Sequence, residues 1–414
     1  MLVPAVDGLR ALAALTVVFY HVSYGSGRPP LGGGFIRNVF ISGYMGVDFF
    51  FVISGFVLFL PTALAGGSFG NVRAYGVRRA ARIIPAYYVA LVAAILLVPL
   101  LTTTPVDLPF NSIGGVFSLL LHVTFLHHSV GLAVGQPEGF FVLGVVWTLT
   151  LEVIFYIVLP FVAGWYQRHP FIGLGAALVV SIAWRTAAVH VPFTISWLPG
   201  AEVPESFRLL LVTQFPTYVA HFAFGMTAAW LFVRLRDSQA RWLPLGAFGV
   251  VVASGVAILW GMSVAGARDM AGTAGLYDHF TGTTVIAFCF AALLLGTILA
   301  PRWAQLPVRN VVARKLGDVS YGIYLWHLLF IGLAVTTLGF VAESTTGSFL
   351  RLLAFTIGAS VVVAFVSFWL IEQPCIRWAR RRSHSLERRR PKRPSAGAPD
   401  APDAERVEAS TPAG

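Results

Sequence analysis

Stretches of about twenty mostly apolar residues recur from one end of this 414-residue chain almost to the other, and no other feature constrains its fold as strongly. A helix needs about 20 residues to cross ~30 Å of hydrocarbon, and only helices and closed barrels satisfy their backbone groups there. Spans are predicted near residues 8–24, 46–64, 84–102, 144–166, 170–190, 213–233, 243–262, 278–300, 319–340 and 349–371. The expected fold class is therefore all-α, a polytopic membrane helical bundle of about ten transmembrane spans. The stretch 113–131 is also apolar, but it carries His122, His127 and His128 and would spoil the alternation of charge if it crossed, so a re-entrant or interfacial segment is expected. With 57% hydrophobic and 11% charged residues and a mean hydropathy of +0.77, little surface is left for a set of soluble domains.

The net charge of +11 does not point to nucleic acid, because the basic residues lie between the apolar stretches and in the tail, with no nucleic-acid motif beside them. They read as topology signals. With the N-terminus inside, the cytoplasmic segments hold 22 of the 29 Lys and Arg residues and the external loops hold 4, which is the asymmetry expected when positive charge resists translocation. The first span lacks a basic leader and a convincing cleavage site, so it is expected to be retained. Arginine outnumbers lysine 27 to 2, a bias that fits a GC-rich bacterial genome. Two units are expected: a transmembrane domain over 1–374 and a basic, disordered cytoplasmic tail over 375–414, whose composition cannot bury a core and whose arginines would meet anionic lipid. Cys289 and Cys375 suggest neither a disulfide framework nor a metal site.

Ionisable groups inside a span are costly, so each is a functional hypothesis. Arg10 and His21 are eleven residues apart on the first span, which puts them on about one helix face with ~16 Å of axial separation. Glu152, in Trp147-Thr-Leu-Thr-Leu-Glu152, enters from the other side and reaches about the depth of His21. A histidine and a carboxylate at one depth form a plausible base and orienting partner; a packing histidine and a structural carboxylate are the bland alternative. His221 either lines the same cavity or pairs with a neighbouring helix. Arg185, near the end of its span, is expected to snorkel. His122, His127 and His128 are expected to be surface histidines, with no further ligand to complete a metal site. Arg78, Arg79 and Arg82 lie in a cytoplasmic loop that runs into the third span; they either set topology or hold phosphates.

These residues, read in order, resemble the acyltransferase-3 family of membrane O-acyltransferases over residues 1 to about 374. The resemblance rests on Asp7-Gly-Leu-Arg10 followed by His21, GVDFFFVISGF over 46–56, Arg79-x-x-Arg82-Ile-x-Pro85, WTLTLE over 147–152, SYGIYLWH over 320–327 and IEQP over 371–374. It implies transfer of an acyl group, usually acetyl, from cytoplasmic acyl-CoA to a hydroxyl on an extracytoplasmic carbohydrate or a secreted small molecule, with no permanently bound cofactor. His21 matches the family's membrane histidine, Arg10 its paired arginine, Arg79 and Arg82 the donor arginines, and Glu152 its glutamate, although threonine stands where serine usually follows the tryptophan. The family's optional extracytoplasmic esterase-like domain is not expected after the last span, which leaves transfer to this domain or to a separate partner.

On that reading the basic cluster holds the CoA phosphates, and His21, oriented by Glu152, either deprotonates the acceptor hydroxyl or carries the acyl group transiently. Asp48 either binds an acceptor hydroxyl or caps the second span. Tyr321 and His327 either line the donor path or pack the core. A proton-coupled secondary transporter would use the same His, Glu and Arg groups, but no inverted repeat is visible; a non-catalytic scaffold would leave the Arg10, His21 and Glu152 spacing unexplained.

Overall fold

The computed structural model describes residues 3–101, 113–133, 141–190, 205–273, 275–340 and 343–388. In chain order the helices are α1 (Pro4–Gly25), α2 (Gly34–Ile41), α3 (Gly46–Leu64), α4 (Val72–Leu101), α5 (Ile113–Val123), α6 (His127–Ala133), α7 (Trp147–Arg168), α8 (Pro170–His190) and α9 (Glu205–Val212). They continue with α10 (Phe215–Leu235), α11 (Leu243–Met270), α12 (Leu276–Leu299), α13 (Leu306–Arg309), α14 (Val311–Asp318), α15 (Ser320–Thr336), α16 (Thr346–Ser367) and α17 (Gln373–Arg388), with a π-helical turn over Phe368–Glu372 between the last two. Among the described residues there is no strand.

Nine helices among the described residues are long and apolar enough to cross a bilayer, and the tenth expected span is α15, which follows α14 through a 69° bend. α5, the apolar helix that carries His122, has 11 residues, about 16 Å at 1.5 Å per residue, too short to span. Large apolar side chains turned outward, among them Phe161 at 82%, Trp260 at 68% and Ile157 at 62% exposure, would be a liability in water and are the ordinary covering of a lipid-facing surface.

Lipid tails are as apolar as leucine, so helix association inside a membrane rests on close packing. A close crossing joins α3 to α10: a Cβ added to Gly55 would lie 2.1 Å from the Phe222 carbonyl oxygen, and one added to Gly225 would lie 2.0 Å from that of Val52. Two glycines facing backbone from both sides let these helices touch main chain to main chain. α1 runs through the middle, packed against α3, α14, α15 and α16, with Ala13, Ala14, Val17, Val18 and Val22 buried along it.

Two boundaries differ from the sequence expectation. The stretch carrying Arg73, Arg78, Arg79 and Arg82 is the first part of α4 rather than a loop. The tail begins as helix: α17 carries residues 373–388 and packs on α4, where Ser383 Oγ donates to the Ala74 carbonyl (3.2 Å) and Asn71 Nδ2 donates to that of Leu386 (3.1 Å). Composition misses this because nucleation is the costly step in helix formation. A membrane span supplies the nucleus, and the Arg, Ala and Leu beside it continue the helix well. Residues 389–414, the rest of the expected tail, lie outside the described residues.

Candidate active site

Tyr321, Tyr324 and His327 follow one another at three-residue spacing on α15, which places them along one side of that helix and against α1. His21 meets His327 there: His327 Nε2 lies 3.1 Å from His21 Nδ1, with ring centroids 4.9 Å apart. His327 Nδ1 is 2.7 Å from the Tyr324 carbonyl oxygen, an acceptor only, so this nitrogen carries the proton and Nε2 is the acceptor. His21 Nδ1 must then be the donor, sharing its proton between His327 Nε2 and the Val17 carbonyl at 3.0 Å. The network therefore leaves the lone pair of His21 on Nε2, which has no hydrogen-bond partner among the described residues. His327 is fully buried, whereas His21 is only partly so: a fixed inner ring holds a more accessible outer one in a basic tautomer.

Toward the start of α1, α1 and α15 together with α3 and α7 enclose a cavity of about 70 Å³ whose lining includes Arg10, Ser54, Thr148, Glu152, Tyr321 and Tyr324. That is room for a few waters or a small acyl group. Tyr324 joins the two regions, since its ring faces the cavity while its carbonyl anchors His327; its hydroxyl donates to the Val145 carbonyl and lies 3.0 Å from Thr148 Oγ1. Tyr321 donates to the Ile83 carbonyl of α4 at 3.1 Å. Glu152 does not take the place beside His21 that its depth suggested. Its Oε1 accepts from Ser54 Oγ (3.1 Å) and Tyr156 Oη (2.5 Å), and it stands in the electrostatic surroundings of Arg10 with Arg82 and Asp7. Equal depth fixes only one coordinate in a bundle; azimuth carries Glu152 to Arg10 and brings His327 to His21 instead. His327 does not line this cavity, whereas Tyr321 lies on its wall with Arg10.

Arg78, Arg79 and Arg82, three of the four arginines of α4, separate. Arg78 is half exposed and pairs with Glu387 of α17 at 2.8 Å, so it is turned away from the cavity. Arg79 lies against the rings of Tyr75 and Tyr156, 5.6 and 6.0 Å from their centroids, and its buried Nε has no hydrogen-bond partner among the described residues. Arg82 faces Arg10.

Farther along the bundle Asp48 neither caps α3, whose N-cap residue is Met45, nor stands alone: its Oδ1 is 3.0 Å from His221 Nε2, with both side chains buried. The glycine crossing of α3 on α10 brings them together. Arg185 does not snorkel. It is 2% exposed and turned inward, donating to Thr284 Oγ1 (2.6 Å) and to the Ser181 carbonyl (3.0 Å), partners that hold its guanidinium inside the bundle. The expected surface histidines are covered as well: His122 and His128 are buried, the His122 and His127 rings stack at 4.4 Å, and His128 packs on Trp147. Three hydrogen-bonding side chains beyond the sequence reading complete the site: Ser54 and Tyr156 on Glu152, and Thr148 on Tyr324. Tyr156 was signalled by its i+4 spacing from Glu152; Ser54, buried in an apolar run, gave no signal beyond its motif.

Comparison with known proteins gives one family, described as an acyltransferase domain, whose sequence pattern matches residues 3–371. The chain is 26% identical over 394 residues to the peptidoglycan O-acetyltransferase OatA of Listeria monocytogenes, covering 90% of this chain and 55% of that protein. It thus spans about half the length of this relative. It is 26% identical to nodulation protein 10 of Rhizobium leguminosarum, covering 90% and 92% of the two chains, and 27% identical to the acyltransferase MdmB of Streptomyces mycarofaciens, covering 96% and 95%. No solved structure gives a significant match.

Proposed function

We propose that this chain, which belongs to the acyltransferase domain family, is a membrane O-acyltransferase that moves an acyl group, acetyl in the simplest case, from cytoplasmic acyl-CoA to a hydroxyl of an extracytoplasmic carbohydrate or secreted small molecule. The observation that carries the reading is the relay from the Tyr324 carbonyl through His327 to His21, which leaves a basic nitrogen at His21 Nε2 beyond a cavity guarded by Arg10. The relatives named for acetyl transfer to peptidoglycan and for acyl transfer favour this chemistry and an acceptor carrying hydroxyl groups.

In the proposed reaction His21 Nε2 takes the proton of the acceptor hydroxyl as its oxygen attacks the thioester carbonyl carbon. The C–S bond then breaks, and the proton passes from His21 to the departing thiolate, so ester and free thiol balance hydroxyl and thioester. The transient imidazolium is held by the hydrogen bonds of Nδ1–H to His327 and to the Val17 carbonyl. CoA is anionic and membrane-impermeant, so its phosphates would meet Arg10, Arg79 and Arg82 at the cytoplasmic face, guanidinium groups being suited to phosphate. Both chain termini are placed in the cytoplasm, on the distribution of Lys and Arg.

The test is acyl transfer by purified protein in lipid nanodiscs, followed as thiol release from acetyl-CoA and as ester on a hydroxyl acceptor. His21→Ala and His21→Gln should both abolish transfer while CoA binding persists. Near-normal turnover of His21→Gln would refute the assignment of His21 as the base.

A further inference from the structure

The Ile371-Glu372-Gln373-Pro374 motif has no role in the chemistry above, yet its glutamate is the most unusually placed acid in the protein. Glu372 is fully buried, and neither of its carboxylate oxygens has a hydrogen-bond partner among the described residues. An acid so placed is costly unless charge or a ligand compensates it.

Its orientation depends on a local departure from helical geometry. At 3.6 residues per turn, two residues five apart point about 140° away from each other. Ser367 and Glu372 are five apart and both buried, because the intervening Phe368–Glu372 segment is π-helical and i→i+5 bonding stacks residues at that spacing. The π turn is what aims the carboxylate inward. The π segment packs on α4, the helix that carries Arg82, and Glu372 feels the charges of Arg82 and Arg10 there, while Tyr321 on the cavity wall stands in the electrostatic surroundings of both Glu372 and Glu152.

We infer that Glu372 is a counter-charge of the donor clamp, additional to Asp7 and Glu152: the π turn holds its carboxylate buried near Arg10 and Arg82, and this sets how tightly the pair grips an anionic donor and how readily it lets the product go. The inference rests on the donor reading above. Acyl-CoA and free CoA carry the same phosphates, so a pair of guanidiniums compensated by Asp7 and Glu152 alone, in a medium of low dielectric, would hold substrate and product alike and more tightly. Such uniform binding lowers KM without raising kcat, and tight retention of product slows turnover. A fixed carboxylate behind the pair weakens both complexes without touching the reacting atoms, which makes Glu372 a positioning residue.

The experiment measures CoA binding by calorimetry and acetyl transfer in single and multiple turnover, in nanodiscs, for the wild type, Glu372→Gln, Glu372→Met and Glu372→Asp. Gln keeps the shape and removes the charge. Its Kd for CoA should fall at least fivefold, with a steeper dependence on salt. Its steady-state kcat should fall, and its single-turnover rate should stay within twofold of wild type. Met should behave as Gln does, and Asp, which keeps the charge, should stay near wild type. An unchanged Kd in Gln overturns the proposal, because the carboxyl is then neutral or too remote. A raised Kd overturns it in favour of a carboxylate that orients the arginines or touches the donor. If Gln and Met both fail to fold while Asp folds, the charge is structural and the proposal is also wrong. Failure of the wild type to bind CoA would appear before any variant is compared and would sink the donor reading itself.

Discussion

Replacing His327 separates the relay seen here from the carboxylate partner that the sequence suggested for His21. His327 supplies one hydrogen bond, 3.1 Å long, to a ring that becomes cationic in the proposed proton transfer. Hydrogen bonds to charged groups contribute about 1.5–3 kcal/mol. The Val17 carbonyl remains 3.0 Å from the same nitrogen and would keep part of that interaction, so the lower half of the range applies, about 1.5–2 kcal/mol. His327→Ala should therefore lower kcat roughly 10- to 30-fold at ~1.36 kcal/mol per decade, with little change in the KM for acetyl-CoA. His327→Gln offers an amide oxygen as acceptor and should recover most of the loss. Glu152→Gln should show the opposite split, raising the donor KM more than it lowers kcat, because Glu152 sits with Arg10, Ser54 and Tyr156. Steady-state and rapid-quench kinetics of acetyl transfer give both quantities. A His327→Ala enzyme with kcat within twofold of wild type, or one whose whole defect lies in KM, would refute the relay.

Two further outcomes are expected. Arg79→Ala combined with Arg82→Ala should raise the acetyl-CoA concentration needed for half-maximal transfer at least tenfold while leaving the acceptor requirement nearly unchanged, because a phosphate clamp acts on donor binding; an unaltered donor titration would return these residues to topology alone. Gly225→Val, which forces side-chain atoms onto the Val52 carbonyl, should destabilise the bundle by about 2 kcal/mol or more, visible as a lower unfolding midpoint in detergent and poorer recovery of folded protein, whereas a midpoint equal to wild type would mean that the α3–α10 crossing can spread.

Much of the fold is legible in the sequence because the bilayer imposes a length and an apolar content on each span. The exceptions are instructive. α15 has 17 residues and is preceded by a bend, so its hydropathy runs on into residues that leave the span. α4 and α17 extend past the apolar limits as helices, because a span already carries the nucleus and charged residues continue it at little cost. At the candidate site the sequence picks out Arg10, His21 and Glu152 but misjudges which side chains meet them. Arg10 and His21 share a face of α1 by simple periodicity, a relation internal to one helix. Which residue meets each of them depends on the rotation of α7 and α15 about their own axes, and periodicity in one helix says nothing about azimuth in another. Arg185 shows the same limit: its position near a helix end suggested snorkelling, but the decisive fact is Thr284 on the facing helix. Glu372 could not have been placed at all from an α-helical period, since a π turn alters the register that such reasoning assumes.

The relay that positions His21 ends on the main-chain carbonyl of Tyr324 rather than on an acidic side chain. No amino-acid replacement can delete that third member, so scanning mutagenesis would find two histidines and count the site as a dyad. Searches for triads by residue type would pass over it for the same reason. The acceptor strength of that carbonyl can be altered only by changing the bond it belongs to. An amide-to-ester exchange between residues 324 and 325 would make a poorer acceptor of the same oxygen while leaving every side chain in place, and it would turn a fixed element of the backbone into an adjustable one.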